Sequence, residues 1–182
     1  MPEPILRLSR MIDAVNARLG RAVSWLVVAA IVVSAGNAVI RKLFDHSSNA
    51  WLELQWWLFG LVFLLAAPWA LQTDEHIRID VVSGRWSEQW RRRIDILGHG
   101  LFLLPMALLV LATSWAFFLV SYGQNEQSAN AGGLPQWPAK FLIPLGFALL
   151  AAQGVSELIK RLAGVNEPRA PESPHTSVDS KG

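Results

Sequence analysis

Residues 22–40 read AVSWLVVAAIVVSAGNAVI, nineteen consecutive positions without a charged side chain. A helix crossing a bilayer core needs roughly 20 mostly apolar residues, so this run predicts a transmembrane helix. Further charge-free runs follow at 54–73, 96–125 and 141–156. The second meets the length, and the third exceeds it, leaving room for a tilt or an extra turn. The fourth reaches it if 138–159 is counted, with Lys140 and Glu157 near opposite interfaces and their stems lying along apolar surface. The expected fold is therefore all-α and membrane-integral. It has four transmembrane helices, with candidate interfacial helices at the N terminus and in the second loop.

Composition agrees. The chain is 52% hydrophobic and 16% charged, against about 25% charged in soluble domains. Nine Trp and eight Phe accompany one Tyr. Trp51, Trp56, Trp57, Trp69, Trp115 and Trp137 flank the apolar runs, as in interfacial aromatic belts. No cysteine is present, which excludes disulfides and thiolate chemistry. The first run starts late and is long for a cleaved signal, so it is expected to be a retained span.

Charge sets the expected topology. Of sixteen Lys and Arg, thirteen fall in the N-terminal segment, the second loop and the tail. The first and third loops hold only Arg41, Lys42 and Lys140. The positive-inside rule then places both termini and the 74–93 loop in the cytoplasm. An even number of spans is required for that, in agreement with four.

Three regions are expected: an amphipathic, cytoplasmic or interfacial arm at 1–22, a four-helix membrane domain at 23–160, and a disordered cytoplasmic tail at 161–182. In the arm, Leu8, Met11, Ile12, Val15 and Leu19 recur at helical spacing between Arg7, Arg10, Asp13 and Arg18. It either lies in the interface or extends the first span into water. In the second loop, 76–82 alternates polar with apolar, a strand-like pattern. Ser87 then opens a candidate interfacial helix with Trp86 and Trp90 as anchors. Arg85, Arg91, Arg92 and Arg93 are expected to touch phosphates of anionic phospholipid. The tail is rich in Pro, Ser and Glu, which favours disorder.

Motifs for chemistry are missing. The chain has no Walker sequence, no GxGxxG, no HExxH and no nucleophile elbow. Its histidines, His46, His76, His99 and His175, are scattered, so neither a metal site nor an enzyme is expected, nor a nucleic-acid partner. His76, Arg78 and Asp80 share a face only if extended. No span has a charged centre of the kind that marks a substrate path. A supporting subunit fits better than a complete transporter. Two other classes stay open. A self-contained oligomeric channel or transporter would line its path with Asn37, Glu53, His99 or Glu126. A membrane-bound enzyme or cytochrome anchor would need axial ligands, and His99 is the one histidine within an apolar run.

Several short strings, in order, carry a resemblance. These are Asn37 and Arg41 at the end of the first span, then WLELQWW at 51–57, then DEHIRIDV at 74–81. Glu126, Ser128 and GGLPQWP at 132–138 complete the series. Across 23–160 the chain resembles the small permease subunit of tripartite ATP-independent periplasmic (TRAP) transporters, the DctQ-like family. The resemblance implies a non-catalytic subunit of the bacterial inner membrane, without a cofactor of its own. It implies a large permease partner in trans, which holds the sodium and substrate sites, and a periplasmic binding protein that delivers a small organic acid. It further implies that Asn37, Arg41, Glu53, Trp56, Trp57, Glu126 and Ser128 serve the outer scaffold or subunit interface, with Arg41 a candidate partner of Glu53. His76, Arg78 and Asp80 would stabilise the inner connection.

Overall fold

The computed structural model describes residues 3–44, 48–73 and 87–164. It is an all-α bundle, and no strand occurs among the described residues. Helix α1 spans Glu3–Phe44, α2 Asn49–Gln72, α3 Glu88–Leu97, α4 Leu104–Gly123 and α5 Trp137–Ala163. A π-helical segment, Gly98–Leu103, joins α3 to α4. Among the described residues, four helical stretches are long and apolar enough to cross a membrane: α1, α2, the continuous Arg92–Gly123 unit, and α5. The strand-like 76–82 pattern lies outside the described residues. So do His76, Arg78, Asp80 and Arg85, and the tail beyond Gly164.

Local sequence accounts for the breaks. Ser87 precedes α3 in an extended conformation, the backbone geometry of an N-cap. Pro138 sits in the first turn of α5, where a missing N–H is harmless. Gly164 ends α5 at φ 72°, a left-handed conformation that glycine adopts without a Cβ penalty. The wide turns of the π segment end just before Pro105. A proline ring crowds the carbonyl four residues earlier, and that carbonyl, of Leu101, lies inside the widened segment.

Helix α5 is the hub, contacting α1, α2, α3, α4 and the π segment. Among the described residues the buried hydrophobics are Val23, Ala30, Leu71, Ala107 and Ala151, none of them aromatic. Trp25, Phe63 and Phe102 are more than 70% exposed. This is the pattern of a membrane bundle. Lipid is as apolar as leucine, so helices associate through close packing of small residues and polar contacts. On α1 the buried set includes Ser9, Asn16, Val23, Ala30 and Asn37, one every seven residues, with Asp13 and Gly20 between. A strict seven-residue seam keeps facing a neighbour when helices wind left-handedly.

Glycine sets the closest approach. A Cβ on Gly20 would lie 2.6 Å from Trp69 Cδ2 and 2.8 Å from Trp69 Cβ. Gly20→Leu is therefore expected to destabilise the α1–α2 contact by about 1–3 kcal/mol, as overpacking does. Thermal unfolding in detergent checks this, and shortening Trp69 in the same chain should recover part of the loss. An unchanged melting temperature for Gly20→Leu alone would contradict the contact.

Candidate assembly site

Polar side chains concentrate at the two ends of the bundle. At one end, Glu53 lies in the second turn of α2 and is 6% exposed. Ser128 Oγ donates to its Oε1, Asn130 Nδ2 donates to the same oxygen at 3.0 Å, and the Leu134 N–H donates to Oε2 at 2.6 Å. One carboxylate thus gathers three donors from the 124–136 loop. Asn49 Nδ2 adds a bond to the Ala131 carbonyl at 2.9 Å, and an isolated β-bridge pairs Gln127 with Pro135. Gly133 is pressed against this staple, since a Cβ there would lie 2.7 Å from Glu53 Oε1.

The same loop is tied to α5. Lys140 Nζ pairs with Glu126 and sits 4.0 Å from the Phe117 ring centroid, a cation–π distance. Phe118 stacks on Phe141 at 5.1 Å and Tyr122 meets Trp137 edge-on at 5.4 Å. The Lys140 ammonium holds the Glu126 carboxyl below its usual value of 4.5. A depressed pKa contributes stability that is present above the unfolded value and lost as pH falls through the folded one. A carbon-13 titration of Glu126 should therefore have its midpoint below 4.5, and Lys140→Met should move it upward. A wild-type midpoint at or above 4.5 would contradict the pair.

At the other end the contacts join α1 to α5. Asp13 Oδ1 accepts from Gln153 Nε2 at 2.9 Å and from Ser156 Oγ at 2.8 Å. Asn16 Nδ2 donates to Gln153 Oε1 at 2.7 Å, and the Ser9 and Ser156 hydroxyls are 2.7 Å apart. Lys160 Nζ lies 3.0 Å from Asp13 Oδ2 and 2.6 Å from Glu157 Oε1. Ser9, Asp13, Asn16, Gln153, Ser156, Glu157 and Lys160 are all buried. Beside them, Asp95 of α3 pairs with Arg161 of α5. Arg92 donates to the carbonyls of Arg161 at 2.6 Å and Leu162 at 3.0 Å, so its guanidinium caps the α5 C terminus. His99 Nδ1 lies 2.6 Å from the Asp95 carbonyl. Since a carbonyl only accepts, Nδ1 carries the proton.

The candidates read from sequence separate as follows. Glu53 and Ser128 are joined directly, and Glu126 lies beside them in one groove with Trp56 and Trp57. Trp56 is 72% exposed, and Trp57 is half-buried. Asn37 is buried on α1. Arg41 is exposed in the last turn of α1 and does not pair with Glu53, whose oxygens face the 124–136 loop instead. Arg93 lies over the Trp90 ring at 5.7 Å. The Arg91 side chain lies outside the description.

Sequence reasoning missed the α1–α5 network and the partners Asn130, Leu134 and Lys140. Two signals pointed to the network. One is the seven-residue recurrence of small or polar residues on α1. The other is polar residues at 153, 156, 157 and 160 on one face of an otherwise apolar helix.

Among the described residues, no group of three or more His, Cys, Asp or Glu gathers to hold a metal ion. A comparison with curated proteins finds no match, and neither does one with solved structures. Residues 30–164 match the family model described as "Tripartite ATP-independent periplasmic transporters, DctQ component". That match covers most of the chain, including the Glu53 contacts and the α5 side of the α1–α5 network, and the chain therefore belongs to the DctQ component family of TRAP transporters.

Proposed function

We propose that this chain braces the static scaffold of a sodium-coupled TRAP importer of a small organic acid. The family is a non-catalytic small permease type, and the chain is a multi-pass membrane protein of that type. In this reading it binds a large permease subunit in trans, which holds sodium and substrate. A periplasmic binding protein delivers the acid. The family match carries the reading. The polar groups support it, because they close on one another between helices, as bracing requires.

The proposed orientation puts the Lys160 end in the cytoplasm and the Glu53 end in the periplasm of the bacterial inner membrane, following the charge asymmetry. Asn37, Arg41, Trp56 and Trp57 are proposed to serve the subunit interface. Glu53, Glu126 and Ser128 shape its outer loop, and His76, Arg78 and Asp80 its inner connection. Arg85, Arg91, Arg92 and Arg93 are proposed to face lipid phosphates. Two Arg92 donors also hold α5, and Arg93 rests on the exposed Trp90.

The test is sodium-dependent uptake of organic acids into proteoliposomes. Uptake is expected only when this chain, the large permease and the binding protein are all present. Uptake by this chain alone would overturn the proposal in favour of a self-contained transporter.

A further inference from the structure

The α1–α5 network has an unbalanced charge. Asp13 and Glu157 bring two carboxylates and Lys160 one ammonium. The three residues are 7%, 6% and 7% exposed; Glu157 directly follows the charge-free run of α5, and Asp13 lies nine residues before that of α1. Among the described residues the cluster thus carries one net negative charge. A buried net charge is strongly unfavourable unless compensated.

The same place has an excess of acceptors. Asn16, 2% exposed, uses its Nδ2 on Gln153 and leaves Oδ1 without a donor among the described residues. Asp13 Oδ2 is paired with Lys160 Nζ at 3.0 Å and has no second donor among the described residues. A third buried oxygen of this kind is Gln72 Oε1 on α2. Its position follows from the helix contact. Gly20 packs on Trp69, and α1 and α2 run antiparallel. One turn back along α1 from Gly20 is Asn16, and one turn on along α2 from Trp69 is Gln72. Residues so spaced share a helix face, so the two amides face the same level of the bundle. The neighbouring Asp95 and Arg161 pair with each other, which leaves Asp13, Glu157 and Lys160 as the buried charged groups of the cluster among the described residues.

We propose that Asp13 Oδ2, Asn16 Oδ1 and Gln72 Oε1 form a binding site for one small monovalent cation of the Na+ class. Oxygen-only ligands of one carboxylate and two amides suit a hard cation. A single positive charge brings the cluster to neutrality, whereas a divalent ion would overshoot. A water molecule would satisfy the amide oxygens but leave the charge. The site draws its three ligands from α1 and α2, so occupancy would tie those two helices together and stabilise the folded bundle. It belongs to this chain alone and does not depend on the transport reading above.

The purified full chain in detergent tests it. Thermal unfolding is followed by helical circular dichroism while NaCl or KCl replaces choline chloride at constant ionic strength. Saturable stabilisation by Na+ or K+ over choline is expected, roughly 3–6 °C at ten times Kd. In Asn16→Leu the melting temperature should fall and its cation dependence should vanish. Gln72→Leu, which leaves the α1–α5 bonds intact, should weaken apparent cation affinity at least tenfold. Broadening of the sodium-23 resonance by the wild-type chain, lost in Gln72→Leu, gives a second readout. Equal melting in the three salts, or a cation shift retained at full strength in both variants, would overturn the site. A salt-independent chain that gains stability from pH 8 to pH 6 would show a proton balancing the charge, and would equally overturn it.

Discussion

Lys160→Met is expected to lower the stability of the bundle by about 3–5 kcal/mol, the largest effect of any single substitution considered. The reason lies in what remains rather than in what is removed. Among the described residues, Lys160 is the one cation paired with both Asp13 and Glu157. Without it, two carboxylates stay buried between α1 and α5, sharing Gln153 Nε2 as a donor. An isolated buried charge is far more destabilising than an absent ion pair. The neutral combination Asp13→Asn, Glu157→Gln and Lys160→Met should therefore recover more than half of the loss. Melting temperatures in detergent, with the amount of chain in the membrane fraction, measure both. A loss under about 1 kcal/mol for Lys160→Met would be the value of an exposed pair and would mean that water reaches the cluster.

Glu53→Ala is expected to release the 124–136 loop and to loosen the opposite end of the bundle, since a charged acceptor shared by three donors is lost at once. Ser128, Asn130 and the Leu134 N–H lose their shared acceptor together. Limited proteolysis should then cut within the loop at least tenfold faster. Glu53→Gln should lie between, because its amide oxygen still accepts from Ser128 and Asn130 while its NH2 group confronts the Leu134 N–H. In the reconstituted transporter both variants should reduce assembled complex and uptake together, with substrate preference unchanged. A changed preference with full assembly would give Glu53 a direct role in recognition and end its assignment as a staple.

Much of the architecture could be read before any coordinates, because membrane helices announce themselves through length and charge. The apolar runs, the Ser87 helix start and the family strings needed no tertiary knowledge. Partner choice was another matter. Glu53 was recognisable as an unusual acid near an aromatic pair, yet its candidate partner was Arg41, at the facing end of the first span. Its real donors are neutral and lie more than seventy residues away, on a loop whose fold over α2 depends on Gly133 and the Gln127–Pro135 bridge. The α1–α5 network was hidden for a different reason. Asp13 and Asn16 sit among arginines in a stretch that reads as an amphipathic helix, and polar residues there are normally assigned to water. In the bundle the assignment is inverted: Asp13 and Asn16 face α5, while Leu8, Met11 and Val15 point outward. A search based on hydrophobicity cannot see a seam made of Ser, Asn, Val and Ala.

The two ends are fastened to a common ruler. Lys140 and Lys160 are twenty residues apart on α5, a rise of roughly 30 Å, which is the thickness of a typical hydrocarbon core. Each anchors its own set of ties, to Glu126 at one level and to Asp13 and Glu157 at the other. Helices clamped at both levels cannot slide past one another to suit a thinner or thicker sheet of lipid. The surrounding acyl chains must stretch or compress to match this protein, so its resting energy, and that of whatever it holds still, is set by lipid chain length.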